Sequence, residues 1–461
     1  MNNFWDNDVW GFLLLISVLL LAVITANTLK RLIKPLRNSL MPASVLGGII
    51  LLLIAFIYKL VFNADMFDTD FFGGKGNAAL EIITYHSLAL GFIATAFKPS
   101  KTKISKKRMT DIFNTGLTTV STYLLQGVLG LGITIITAII VPSFFPASGL
   151  LLPFGYGQGT GQALNYGGIY ENDFGFIGGK SFGLSIAALG FLSASIGGVI
   201  YLNIMKYKGL IIGNSATAIA IRSEEIQGIN EIPMQESMDK ITVQFAFVTS
   251  AYMLTFLIMK FLGSLLPGMR SVIYGFNFLL GVITATIMKS LVIKLTDKGI
   301  IHRSYLNDFL MTRISNFLFD LMVVAGIAAI RLEVIKSYWI VLIILGTVGL
   351  TATFAYNHFV ADRLFPEYKR EQFLMMYGML TGTASTGIIL LREVDYKFTT
   401  PASDNMVYQN FPAIVFGFPL MFLASFAPKN PPLALLLLFI SFVIINILLF
   451  RKKIFGTRSG T

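Results

Sequence analysis

Eleven runs of about twenty mostly apolar residues, the length that crosses a hydrocarbon core as a helix, leave this chain few folds to choose from. They are Trp10–Leu29, Leu40–Phe62, Ala79–Phe97, Ile112–Val141, Ser181–Met205, Ile241–Gly263, Ser271–Ile293, Asp308–Ile330, Tyr338–Asp362, Ala402–Ala427 and Leu433–Phe450. In lipid every backbone N–H and C=O has to find its partner within the segment, so spans of this kind are helices. Charged residues make up 13% of the chain, about half the roughly 25% of a soluble domain, and mean hydropathy is +0.72. The reading is an all-α integral membrane protein.

Two stretches do not read as straight helices. Leu150–Glu171, LLLPFGYGQGTGQALNYGGIYE, sets Gly155, Gly157, Gly159 and Gly161 at alternate positions with Gln158, Thr160, Gln162 and Asn165 among them. Each glycine weakens a helix. Irregular backbone at membrane depth survives only when buried in protein or lining a watery cavity. Gly378–Gly387, GMLTGTASTG, answers it in the second half. Close helix packing through small residues is the bland alternative. Interrupted segments at corresponding places in two halves instead point to the binding site of a secondary transporter built on inverted-topology repeats.

The chain then divides into a first repeat, 1–205, with a broken hairpin at about 149–171, and a second, 241–427, with a hairpin at about 372–391. Residues 206–240 read as a solvated cytoplasmic linker, and 428–461 as an additional helix with a basic tail. Each repeat has about five transmembrane helices beside its hairpin.

Charge sets the expected orientation. With the N-terminus outside and each hairpin returning to the side it came from, the loops 30–37, 98–108, 206–240, 294–303, 363–370 and 392–397 and the tail 451–458 lie inside. They hold 26 Lys and Arg, against 6 in the outside loops, and Lys59, Lys260, Lys289 and Arg313 within spans complete the 36. This is the positive-inside pattern, and it explains the +12 net charge without a nucleic-acid partner. The opening MNNFWDNDVW has no basic residue, so the first helix is expected to be retained and not cleaved as a signal peptide.

Candidate chemistry concentrates in the hairpins. Glycines let the backbone approach a ligand, and a broken helix offers unpaired N–H groups and a positive dipole end to a carboxylate. Gly157, Gln158, Gly159, Thr160, Gly161, Gln162 and Asn165 in the first, with Thr383, Ala384, Ser385 and Thr386 in the second, are the expected substrate contacts. Carbonyls and hydroxyls at Thr160, Thr381, Gly382 and Thr383 are hard oxygen ligands for sodium. Asp320, a carboxylate in the middle of a span and therefore costly, joins them as a candidate or pairs with Arg313. His358 and Asp362, one turn apart, are expected to pair, Lys289 to snorkel to the interface, and Trp5, Trp10 and Trp339 to mark span ends. The chain has no cysteine and only three histidines. No nucleophile–base or metal grouping is legible, so no enzyme and no organic cofactor is expected.

Three segments carry a family likeness: HSLALGFIATAF (His86–Phe97), GLLLPFGYGQGTGQALNYG (Gly149–Gly167) and YGMLTGTASTGIILLREVD (Tyr377–Asp395). With them the chain resembles the bacterial sodium/glutamate symporter family, in organisation to about Ala427. The resemblance implies two inverted repeats with re-entrant hairpins, and glutamate import coupled to inward sodium flow across the bacterial cytoplasmic (inner) membrane. It also implies a homodimer whose outer helices scaffold two moving transport units. Gly157–Gly161 stand where the family has a Gly-Gly-His-Gly-Thr-Gly-like signature, and Gly382–Thr386 where it has a Gly-Ala-Thr-Pro-Thr-like one. Gln158 replaces the histidine, Ser385 replaces the proline, and the last span is added. Aspartate, citrate and malate stay open as alternative cargoes, and a channel as an alternative mode.

Overall fold

The computed structural model describes residues 3–98, 106–210, 231–234, 238–395 and 399–454. Most of the expected linker, and Lys101, Lys103, Arg222, Lys397 and Arg458 of the charge count, lie outside the described residues. In chain order the main helices are α1 (Asn7–Leu32), α2 (Ala43–Phe62), α3 (Gly76–Ala96), α4 (Lys106–Ile140), α5 (Leu151–Phe174), α6 (Gly179–Tyr207), α7 (Lys240–Leu265) and α8 (Asn277–Asp297). They continue with α9 (Asp308–Ala328), α10 (Trp339–Leu364), α11 (Lys369–Thr381), α12 (Ala384–Arg392), α13 (Ala402–Tyr408), α14 (Asn410–Phe426) and α15 (Pro431–Leu449). Among the described residues, ten helices are long and apolar enough to cross a membrane: α1 to α4, α6 to α10, and α15. The protein is an all-α, multi-pass membrane protein.

The expected span Ala402–Ala427 is divided between α13 and α14. Pro412 has no N–H to return to the carbonyl of Tyr408, so the ladder is interrupted there. Pro419 repeats the effect inside α14.

The chain forms two compact units that cut across its sequence halves. One comprises Met1–Gly76, Ile104–Ala216 and Gly326–Thr461; the other comprises Asn77–Lys103 and Thr217–Ala325. In the first, α4 turns the soluble-protein pattern inside out. Thr115, Thr118, Thr119, Thr122 and Gln126 are buried, whereas Ile136, Ile139 and Ile140 are 60–76% exposed. Apolar side chains facing outward lose nothing in lipid, while polar ones need partners that only protein supplies. The added helix α15 docks on α4 through such partners. Tyr356 OH on α10 donates to Asn446 Oδ1 at 2.8 Å and meets Ser121 Oγ at 2.6 Å, and Asn446 Nδ2 donates to Ser121 Oγ at 2.7 Å.

The second unit packs α3, α7, α8 and most of α9 around Ile93, Ala251, Ala285, Met311 and Ile314. Hydroxyls join it, Thr95 Oγ1 to Ser315 Oγ at 2.7 Å and Tyr252 OH to His86 Nδ1 at 2.6 Å. Lys289 Nζ donates to the carbonyls of Ala96 and Lys98 at the end of α3, where the helix leaves acceptors without partners. Arg313 lies over the Phe309 ring, 5.0 Å from its centroid.

Candidate functional site

The first unit holds both glycine-rich stretches. α5 is not one helix: at Gly159 the backbone takes φ 76°, ψ −168°, a conformation essentially confined to glycine. Phe154 and Tyr166, on either side, stack with ring centroids 3.9 Å apart and planes 9° apart. In a straight helix residues 154 and 166 would be about 18 Å apart. The two limbs of α5 therefore lie side by side.

The second stretch is broken too. α11 ends at Thr381, Gly382 (φ −150°, ψ −108°) and Thr383 (φ −139°, ψ 171°) leave the helical region, and α12 begins at Ala384. A methyl at Gly378 would lie 2.8 Å from Gly387 Cα, and one at Gly387 would lie 2.6 Å from the Met375 oxygen. These limbs touch backbone to backbone.

α6 passes between the two breaks. A methyl at Gly190 would lie 2.6 Å from the Thr381 oxygen and 3.2 Å from Tyr156 Cα, so one glycine separates them. α4 caps both. Tyr123 OH donates to the Gly157 carbonyl at 3.0 Å; Gln126 Nε2 donates to the Leu380 carbonyl at 3.0 Å and to Thr353 Oγ1 at 2.8 Å. Each capped carbonyl has its usual partner, the N–H four residues on, beyond a break. Tyr156 OH ties the first break to α10 through the Gly346 carbonyl at 2.6 Å, and to α6 through Ser193 Oγ at 2.8 Å.

Of the expected residues, Gly157, Gly159, Thr160, Gly161 and Gln162 are buried, while Gln158 and Asn165 are partly exposed. Gln162 Oε1 accepts from Asn165 Nδ2 at 3.3 Å, and its Nε2 has no partner among the described residues. Thr381, Gly382 and Thr386 are buried, Thr383 and Ser385 partly exposed, and Ala384 exposed. The Thr381 hydroxyl returns to its own helix, at 2.6 Å from the Tyr377 oxygen, and the Thr383 and Thr386 hydroxyls meet at 3.4 Å. Asp320 lies in the second unit, exposed on α9. His358 and Asp362 do not pair as expected. Asp362 takes Lys369 Nζ at 2.5 Å, and His358 sits among the rings of Tyr201, Phe354 and Phe373.

Tyr123, Gln126 and Gly190 were not among the expected residues. Gln126, an amide inside a long apolar span, was a readable signal; a tyrosine and a glycine in other spans were not. Beyond α12, Asp395 accepts from the backbone N–H and hydroxyl of both Thr399 and Thr400 at 2.7–3.0 Å. Burial alone would raise this carboxyl; the hydrogen bonds from Thr400 and Thr399 outweigh it and hold the pKa below the ordinary value.

Both breaks are neutral, with no Asp, Glu, Lys or Arg in 151–170 or 372–391. They offer amides at the starts of two limbs, hydroxyls and carbonyls. Such groups take a carboxylate at the amide ends and an alkali cation at the oxygens. The fold and these breaks define a multi-pass membrane protein with a paired helix-break site. The chain matches no protein-family model, and no curated protein matches it.

Proposed function

We propose that the protein is a secondary transporter that imports glutamate, or a close carboxylate amino acid, together with sodium by alternating access. The observation that carries this reading is the meeting of two broken helices, one from each sequence half, on either side of Gly190. Each limb that begins at a break presents first-turn N–H groups without helical acceptors. Two such ends bind the substrate carboxylates, and Thr160, Thr383, Ser385 and Thr386 supply hydroxyls. Sodium is held by neutral oxygens at the breaks, and binding of each ligand favours the other.

In this reading the broken helices are re-entrant hairpins of two inverted repeats, dipping from opposite sides. The N-terminus is outside and the C-terminus inside a bacterial cytoplasmic membrane, as the charge split favours. The working unit is a homodimer, on family resemblance.

Labelled glutamate uptake into proteoliposomes, with and without an inward sodium gradient, tests it. Accumulation that needs sodium, and that excess unlabelled glutamate blocks, is expected. No accumulation by a folded preparation removes glutamate. A second reading, a carboxylate without an amino group such as malate or citrate, is favoured by the absence of a carboxylate in either break to pair with an ammonium. Competition by those acids separates the two.

A further inference from the structure

The inner face of α4 carries more polar chemistry than the caps use. Asp111, Thr115, Thr119, Thr122 and Gln126 recur at helical spacing on one face, over about 22 Å of helix. Beside them stand four buried amides, Gln126, Asn357, Gln372 and Asn405, each at most 1% exposed. Each has its carboxamide oxygen without a hydrogen-bond partner among the described residues.

The orientation of each amide follows from chemistry. Gln126 Nε2 meets the Leu380 carbonyl, and Asn357 Nδ2 meets the Thr353 carbonyl at 2.9 Å; a carbonyl only accepts. Gln372 Nε2 meets Thr115 Oγ1 at 3.0 Å, whose proton goes to the Asp111 carbonyl at 2.7 Å. Asn405 Nδ2 meets Tyr368 OH at 2.9 Å, whose proton goes to Asp111 Oδ2 at 2.9 Å. Burial, with Asp111 accepting its hydrogen bond, keeps that phenol protonated well above its ordinary pKa. Turning Gln126 or Asn357 would set acceptor against acceptor; turning Gln372 or Asn405 would take the facing hydroxyl's proton away from the Asp111 carbonyl or carboxylate. In all four the oxygen is the atom with no partner among the described residues, while the nitrogen has at least one.

A buried acceptor without a donor is costly, and four of one sign along one face form a run of negative dipole ends. An anion is repelled by such a row; a cation that exchanges water for carbonyl oxygens is accommodated, as in carbonyl-lined filters. At one end of the row is the second break, where Gln126 holds the Leu380 carbonyl. At the other is Asp111, a partly exposed carboxylate near the start of α4, in a turn where Lys107 and Arg108 are paired with Glu367 and Asp404.

We infer that the α4 face is the passage by which a sodium ion moves between the second helix break and the membrane side on which α4 begins. The inference rests on the transport reading for the identity of the ion. Gln126, Asn357, Gln372 and Asn405 act in it as successive oxygen ligands and Asp111 as its mouth.

The absence of cysteine from the chain permits a direct test on the full protein. Thr115→Cys and Thr119→Cys place a thiol on the row, with Thr122→Cys in reserve should either fail to fold. Leu117→Cys and Leu124→Cys place one in buried positions off it. Each purified variant is exposed to Ag⁺, a monovalent cation close to sodium in size, which replaces the thiol proton. Remaining thiols are then counted with a maleimide after unfolding.

Row cysteines are expected to react at least roughly tenfold faster than the controls, which silver reaches only through local opening. Sodium, but not choline at equal ionic strength, slows the row reaction, and an anionic methanethiosulfonate leaves the row unmodified. Equal rates at row and control positions overturn the inference, as does equal entry of the anionic reagent or equal protection by choline. Because the readout needs no transport, sodium protection in a protein that takes up no glutamate refutes the cargo and leaves the passage standing. Sodium-driven uptake without row reactivity does the reverse.

Discussion

The two helix breaks solve one problem by different means. At the first, the backbone itself is unusual: Gly159 occupies a glycine-only conformation, its neighbours are almost all buried, and the Tyr123 hydroxyl caps the nearby carbonyl. At the second, Gly382 (φ −150°, ψ −108°) lies in neither the helical nor the extended region, Thr383 is extended, Ala384 is exposed, and a flexible amide does the capping. A break enforced by backbone conformation inside packed aromatics is rigid. A break held by one side chain at a partly open turn has freedom to rearrange. The contrast teaches which of the two is fitted to hold a ligand in fixed geometry and which to open and close around it.

Substitution at the break glycines tests this contrast most severely. Gly159→Ala is expected to lose most uptake and about 1–3 kcal/mol of stability, because no side chain suits that backbone, with Gly159→Val at least as severe. In Gly382→Ala the new methyl meets the Thr386 hydroxyl at 2.9 Å, a side-chain end that rotates away. Measurable uptake should survive there. Equal losses in proteoliposome uptake would erase the distinction.

Gly157→Ala comes next, since its methyl would lie 2.1 Å from the Tyr123 ring. Overpacking of that kind costs about 1–3 kcal/mol, and Tyr123→Ala in the same chain should recover part of it. Thermal unfolding in detergent reads both; additive losses would show that the ring is not the obstacle.

The caps are a smaller step. Gln126→Leu leaves the Leu380 carbonyl and Thr353 without a donor and should cost about 1–3 kcal/mol, whereas Tyr123→Phe removes one hydrogen bond worth about 1 kcal/mol. A larger loss from Tyr123→Phe would reverse the assignment of rigid and adjustable breaks.

The smallest effect concerns the exits from the two segments. Beyond α5 the chain turns with Gly175 at φ 71°, and Glu171 Oε2 accepts from the Lys180 N–H at 3.1 Å. Beyond α12 it relies on Asp395 and two threonines. The Asp395 carboxyl has a lowered folded pKa. Its stabilisation is therefore present above the unfolded value of about 3.9 and is lost as pH falls through the folded one. Asp395→Asn should lower the melting temperature at neutral pH, where the carboxylate's contribution is present, and flatten the acid limb below about pH 4. A steeper acid limb would contradict it.

Much of the architecture was legible because the bilayer imposes a simple rule. Runs such as Trp10–Leu29 and Leu433–Phe450 became α1 and α15 nearly as read, since a long apolar run has no other way to satisfy its backbone. Ala402–Ala427 did not, because composition averages over Pro412 and Pro419 while the hydrogen-bond ladder does not. The break positions were readable from glycine spacing at Gly155–Gly161 and Gly378–Gly387. Which carbonyls are capped was not, because Tyr123 and Gln126 reach them only after the chain has folded, although an amide such as Gln126 in an apolar span was itself a signal. His358 and Asp362 show the limit of spacing: one turn apart and lining one cavity, they take different partners, aromatic rings and Lys369.

By itself the sequence determined that this is a helical membrane protein and where two of its helices cannot continue, because propensity and hydropathy are local properties of the chain. Tertiary structure decided that the two breaks come together at Gly190, that α4 caps both, and that four amides along its face keep an oxygen over. Those are relations between residues apart in sequence, as far as the 254 positions between Gln126 and Leu380. Only packing chooses which distant backbone completes a broken hydrogen bond.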